Sequence, residues 1–381
     1  MTTEPKRLDL SLSISREPVI LALLTGLAAV SFLAVTGLSR LYEAQQESLA
    51  VEWSTRGLDD LKAGRYKVAI PEFRTALEYA RDNDGYQLSL AQALVGMHRT
   101  DEAYAYLINL WDRQPENGVV NLELARIAVE KNQTDRALRF YHNAIYATWP
   151  GNQETERNKA RLELIDYLLL IDARTQAESE LIALEANVGE DAAQQAHLGE
   201  LFLGVQDYGR ALAAFRESLK LDGQDPGADA GAGVAAFNLG MYPMAARHLQ
   251  EAVAATPGDA ASAALLKTAQ SVLRLDPYRP RISVAERDRI VVDAFNAAGD
   301  RLKSCGALDG SKAPAAVESL AEQWAKLKPQ VSERGLRGDP DLVDTAMNLV
   351  FQIEGQKNTG CGEETEADKA LALIAKLHEE N

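Results

Sequence analysis

Alanines recur along this chain at a spacing that few folds can accommodate. Counting back from Ala245, they stand at Ala211, Ala177, Ala137, Ala103 and Ala69, in steps of 34, 34, 40, 34 and 34 residues. A fixed period of this size means that one supersecondary unit is stacked several times, so the chain reads as an array and not as one closed core. Stacked units of this kind build an extended surface on which other molecules are held.

With each alanine placed at position 20 of a 34-residue unit, the rest of the pattern falls into register. The unit beginning at Ala50 has Trp53 at position 4, Gly57 at 8, Tyr66 at 17, Phe73 at 24 and Ala76 at 27. The unit from Asp84 has Ala91, Leu107 and Pro115 at 8, 24 and 32, and that from Gly118 has Ala125, Tyr141 and Ala144 at 8, 24 and 27. From Ala192 the same roles fall to Gly199, Tyr208 and Phe215, and from Pro226 to Gly233, Tyr242, Leu249, Ala252 and Pro257. Small residues let two antiparallel helices approach, large ones fill the space beside them, and proline ends the second helix. This pattern resembles the tetratricopeptide repeat, a helix–turn–helix unit, and the resemblance implies an all-α solenoid that binds proteins.

Departures from the pattern are local. The unit at 158–191 is degenerate, with Ile165 and Leu168 where small and aromatic residues are expected, and Leu181 and Leu184 at positions 24 and 27. Six additional residues before it, around Gly151 to Arg157, predict a longer turn or first helix. Pro71 predicts a second helix that starts late or bends. Ala260 to Leu275 reads as a capping helix with Leu265, Leu266 and Leu273 on its apolar side. The prolines at 277 and 280 end the array. Beyond them Ser283 and Glu286 form a capping box, with Val284, Ile290, Val291, Ala294, Phe295 and Leu302 as the apolar face that follows. Further helices are expected over 314–327, 340–354 and 367–379, forming a small C-terminal cap or domain.

Residues 18–39 carry no charge and are mostly Leu, Ala, Val, Ile and Phe. That length matches the roughly 20 residues a helix needs to cross a bilayer. A cleaved signal would have a shorter apolar stretch followed by an A-x-A-like site, and a core helix would show an amphipathic stripe; the segment has neither. Lys6, Arg7 and Arg16 precede it and only Arg40 follows closely, so residues 1–17 are expected in the cytoplasm and the remainder outside, in a bacterium the periplasm. Between Arg40 and Ala63 there is no proline, which predicts one helix from the bilayer into the first repeat, with Gly37 its natural hinge. Ala22 and Gly26 form a small-xxx-small pair through which two copies could associate weakly. The domain reading is therefore a tail at 1–17, a span at 18–39, repeats with their capping helix at 40–276, and a helical region at 277–381.

Charge and motif content narrow the function. Beyond residue 40 there are 36 basic and 53 acidic residues, a balance of −17, and nucleic-acid binding needs the opposite. The five histidines form no metal-ligand spacing, and no nucleophile–base pair, paired carboxylates or phosphate loop is evident, so neither an enzyme nor a cofactor is expected. Gly227, Gly231 and Gly233 read as packing glycines inside a helix, and Glu363, Glu364 and Glu366 as a solvated face.

The resemblance directs attention to first-helix positions 5 and 9, where carboxylate-clamping members of the family carry Lys and Asn. Here position 5 holds Ser54, Leu88, Leu122, Leu162, Ala196 and Ala230, and position 9 holds Leu58, Gln92, Arg126, Asp166, Glu200 and Val234. No unit has the clamp. The candidate partner-binding groove is Leu88, Gln92, Leu122, Arg126, Leu162, Asp166 and Glu200, an apolar line beside a polar one. Cys305 and Cys361, both expected beside helix ends outside the cytoplasm, are expected to form a disulfide closing a loop of about 55 residues. The function expected is a membrane-anchored scaffold or adaptor, chaperone-like, for unidentified envelope or membrane proteins. A stable subunit of a membrane complex is the alternative, and an enzyme with a hidden site in residues 283–381 a third.

Overall fold

The computed structural model describes residues 16–308, 314–356 and 363–379. Lys6, Arg7 and Cys361 lie outside the described residues. The described chain is helical throughout its regular elements and divides into two compact units, one ending at Leu164 and one beginning at Ile165.

The first unit holds α1 (Arg16–Lys62), α2 (Tyr66–Tyr79), α3 (Asp84–Gly96), α4 (Thr100–Arg113), α5 (Gly118–Glu130) and α6 (Thr134–Tyr146), and the division falls within α7 (Gln153–Leu170). α1 is one helix of 47 residues, about 70 Å long, running through Gly26 and Gly37 without a break. Its C-terminal part serves as the first helix of the first repeat and pairs with α2. Of the two expectations for Pro71, a late start is excluded: α2 begins at Tyr66 with Pro71 inside it, at the cost of the backbone bond to the Lys67 carbonyl.

Packing in the repeats follows the small-against-large pattern. Ala69, Ala103, Ala137, Ala177, Ala211 and Ala245 are all fully buried. A Cβ on Gly57 would come within 2.8 Å of Phe73, and one on Gly96 within 2.7 Å of Tyr66. First helices start with a side-chain cap one residue ahead: Asn83 accepts from the Tyr86 amide and Asn117 from that of Val120. The turn inside each repeat uses a left-handed residue at position 15, namely Gly64, His98, Asn132, Asp172, Gln206 and Gly240. Only two of these are glycine, and the other four adopt φ values between 55° and 66°.

The six additional residues lengthen a helix, since α7 has 18 residues where α3 and α5 have 13. They also reshape the preceding turn. Thr148 exchanges backbone hydrogen bonds with Glu116 and Gly118 at 2.9 Å each, and the indole of Trp149, donating to the Ala144 carbonyl at 2.8 Å, lies over Gly118.

The second unit continues with α8 (Arg174–Glu185), α9 (Ala192–Gly204), α10 (Tyr208–Leu221), α11 (Pro226–Asn238), α12 (Tyr242–Ala255) and α13 (Ala260–Leu275). Asp191, Asp225 and Asp259 cap α9, α11 and α13. Gly199 and Gly233 face Phe215 and Leu249 as Gly57 faces Phe73, and Gly231 meets Phe215 from the next helix. His248 of α12 is held by a 2.7 Å contact from Nδ1 to Asp229 of α11. In α13 the buried face is Ser262, Ala269, Ser271, Val272 and Leu275; Leu265, Leu266 and Leu273 are only half-buried, because α13 is covered from a side that sequence periodicity does not reveal.

That cover comes from the C-terminal region: α14 (Val284–Ser304), α15 (Ala315–Leu327), α16 (Glu333–Gly338), α17 (Asp341–Glu354) and α18 (Glu366–Glu379). Ser283 caps α14 by accepting from the Glu286 amide at 3.1 Å. Phe295 stacks on Trp324, whose indole donates to the Phe295 carbonyl at 2.9 Å. Of the apolar face expected on α14, Val284 stands exposed and the other five residues are buried. α18 returns to lie on α13, where Thr268 donates to Glu366 at 3.1 Å, and Leu377 reaches Gly240 at the end of α11. The short α16 was not expected. It places Arg337 3.7 Å from the fully buried carboxylate of Asp288, which Arg287 also approaches at 3.2 Å. Cys305 caps the end of α14.

Candidate partner-binding face of the repeats

In the first unit, the residues at positions 5 and 9 lie on α3, α5 and the start of α7. Leu88 and Leu162 are half-buried, whereas Leu122 is buried at 6% exposure and so supports the face from beneath. Gln92 and Arg126 are half-buried and joined by residues that position-by-position reading passed over. The Gln92 carboxamide donates to Glu123 at 3.3 Å, Arg126 donates to the same Glu123 oxygen at 2.9 Å, and Arg126 also donates through two nitrogens to Glu163 at 2.9 and 2.5 Å. The result is a chain of polar contacts running Gln92, Glu123, Arg126, Glu163 from one repeat to the next.

Glu123 and Glu163 both occupy position 6 of their units, one helical turn before position 9, so the signal in the sequence was the i, i+3 spacing of Glu123 and Arg126. Burial raises the Glu123 carboxyl above its ordinary value, with the Arg126 charge and the Gln92 hydrogen bond opposing. The two hydrogen bonds that the Arg126 guanidinium donates to Glu163 hold it above its ordinary value against its own partial burial. Because Arg126 is already engaged twice, an incoming carboxylate would have to displace Glu123 or Glu163. The face is suited to pairing with backbone or neutral polar groups, and less to capturing an anion.

In the second unit, Asp166 on α7 and Glu200 on α9 are exposed, with Glu200 3.4 Å from Nδ1 of His197. Neither belongs to the network of the first unit. Among the described residues no cluster of three or more His, Cys, Asp or Glu side chains is placed to share a metal ion.

Antiparallel helix pairs repeated in register, with small residues buried at one position and a line of polar and apolar side chains along the first helices, define a helical-repeat protein that works through its surface. Tetratricopeptide-repeat profiles match residues 54–95, 94–148 and 197–260, and these segments are tetratricopeptide repeats. Such repeats serve protein–protein interaction. No curated protein matches the sequence. Among solved structures, the chain is similar to YrrB, described as a TPR protein with an unusual peptide-binding site, at 16% identity over 50% of this chain and 95% of that one, TM-score 0.41. It is similar to pilF of Pseudomonas aeruginosa at 16% identity, covering 56% of this chain and 95% of that one, TM-score 0.42. The C-terminal part of a TPR repeat-containing protein from Cytophaga hutchinsonii matches at 12% identity over 80% of this chain and 97% of that one, TM-score 0.44.

Proposed function

We propose that the protein is a scaffold anchored in a bacterial inner membrane, with its repeats in the periplasm, where it holds envelope proteins in a chaperone-like manner. The observation that carries this reading is α1. From Ile20 to Leu41 its large apolar side chains stand exposed, Phe32 at 71%, whereas Ala50 on the same helix is buried at 1% in the first repeat. Burying each such side chain in lipid gains about 1.5–3 kcal/mol, which supports a span and not a surface helix. Arg40 and Tyr42 follow the apolar stretch, as interfacial residues do. From Ser39 to Ala50 the helix rises about 16 Å, so the array stands off the bilayer on a stiff stalk.

Orientation rests on the excess of basic residues ahead of the span. The division into tail at 1–17, span at 18–39, repeats with capping helix at 40–276 and helical closure at 277–381 belongs to this same proposal. So does a disulfide between Cys305 and Cys361, which fits an oxidising compartment. The partner-binding face in the first unit is then Leu88, Gln92, Arg126 and Leu162 over Leu122, held by Glu123 and Glu163. Asp166 and Glu200 offer exposed acids in the second unit.

The test is protease shaving of spheroplasts followed by cross-linked purification of the intact protein from its membrane. Digestion of the repeats from outside, and recovery of several envelope proteins in less than equal amount, is the expected result. Repeats protected until the cells are lysed would overturn the topology, and a single equimolar assembly would favour a stable complex subunit.

A further inference from the structure

Two depressions in the second unit join into one groove along α15 and α17. The larger, of about 660 Å³, has Tyr278, Phe351 and His378 at its end, and the smaller, of about 430 Å³, is lined by Gln323, Lys326, Gln330 and Thr345. Asn348 and Gln352 line both, and Gln356 continues their four-residue spacing just past the end of α17. From Thr345 to Gln356 the groove runs about 16 Å.

On a chain of net charge −16, the lining presents five carboxamides, Gln323, Gln330, Asn348, Gln352 and Gln356, with Lys326 as its formally charged side chain. Apart from a 3.5 Å contact from Gln323 to Ser319, the side chains of these five have no hydrogen-bond partner among the described residues. The rings at the end are held in place: Tyr278 and His378 lie 4.6 Å apart and tilted by 55°, Tyr278 donates to Asp344 at 3.3 Å, and Nε2 of His378 lies 3.4 Å from Asp276.

We propose that this groove binds a short, neutral glycan bearing acetamido groups. A carboxamide offers a donor and an acceptor side by side, as do the acetamido and hydroxyl groups of such a sugar, so each of the five can pair in more than one register. Aromatic faces cover the apolar C–H faces of sugar rings. A phosphate or carboxylate ligand would call for clustered Arg or Lys, which the lining lacks. An extended peptide could pair its backbone with the carboxamides and rest a side chain on Leu327 and Leu349 in the smaller depression, so the aromatic rings at the other end are what favour a sugar, and the test sets the two against each other. The inference goes beyond the scaffold reading and uses its periplasmic topology only for the source of the ligand, neutral acetamido sugars of the envelope.

The experiment is calorimetric titration of the full-length protein in detergent with the tetramer of N-acetylglucosamine. Sub-millimolar binding is expected, weakened about tenfold or more in N348A/Q352A, with an unchanged melting temperature for these exposed positions. Tyr278→Ala weakens it as well, while Tyr278→Phe, which keeps the ring and loses the contact to Asp344, retains it. No heat up to about 10 mM tetramer overturns the proposal, as does equal binding by N348A/Q352A, or capture of an uncharged extended peptide in place of the sugar. Recovery of envelope proteins is measured separately with Arg126 variants, so failure of the glycan site and failure of the scaffold reading are told apart.

Discussion

Gly118 lies directly beneath the indole of Trp149, so close that a Cβ built on it would fall 2.3 Å from Trp149 Cε2. This contact stitches the start of α5 to the turn that the six-residue insertion reshapes. Gly118→Ala forces the indole or the helix to move, and overpacking of this kind costs about 1–3 kcal/mol. Thermal or urea unfolding measures it. Gly151→Ala is not an equivalent control, because Gly151 has φ of 79°, but Gly258→Ala meets no atom within 4 Å at an ordinary backbone angle and is expected to be near neutral.

Gln206 sits in the left-handed region with φ of 66°, at the same turn position where Gly64 and Gly240 stand in other repeats. A left-handed L-residue costs roughly 1–2 kcal/mol, offset in part by the larger unfolded-state entropy of glycine. Gln206→Gly is therefore expected to raise stability by about 0.5–1 kcal/mol, seen as a higher denaturation midpoint with unchanged slope. Asn132→Gly gains less, because asparagine tolerates this region.

Arg126 binds Glu123 and Glu163 at once, and Glu123 has little water to turn to. Arg126→Met leaves the Glu123 charge without its guanidinium partner and is expected to cost about 1–2 kcal/mol, since Arg126 itself is partly exposed. Combining it with Glu123→Gln recovers much of that loss. If the polar line is the partner face, both variants recover fewer envelope proteins, whereas partner recovery tracking stability alone would place the interaction elsewhere.

Burial pushes the Glu354 carboxyl up to about 8, with Asp368 and Glu364 adding to the effect and Arg301 opposing it. A carboxyl raised above its unfolded value near 4.5 binds more protons in the folded state. Its contribution to stability is therefore fully present below about pH 4.5 and is lost as the pH rises through about 8. Glu354→Gln is expected to flatten the fall in melting temperature between these values. An unchanged pH profile would mean that the carboxyl titrates normally.

Cys305, at the end of α14, and Cys361 are expected to resist a thiol-specific reagent until reduced. Closing a loop of about 55 residues stabilises the folded chain by a few kcal/mol in the loop-entropy account, so Cys305→Ser should lower the melting temperature under oxidising conditions only. Strong labelling of the oxidised protein would show that the thiols are free.

The repeat and the apolar N-terminal helix were legible in the sequence because both are periodic, local properties. Position 20 carries a fully buried alanine in every unit, and α1 runs unbroken because nothing between Arg40 and Ala63 interrupts it. The Asn and Asp caps at position 34 were equally legible, in hindsight, one residue ahead of each first helix. The candidate face was only partly so: Gln92 and Arg126 stood out by position, while Glu123 and Glu163 were hidden by attention to two positions of the unit.

Tertiary structure alone decided the rest, because it depends on residues far apart in the chain. Thr268 meets Glu366 across 98 residues, so no window of sequence shows that α18 covers α13 and turns its buried face away from Leu265 and Leu266. Likewise α16 brings Arg337 to within 3.7 Å of the buried Asp288, which the neighbouring Arg287 also contacts, a second positive charge beside a buried carboxylate that appears only once α14 is packed. Repetition writes the helix pair into the sequence; burial of particular charges and the return of the last helix come from folding.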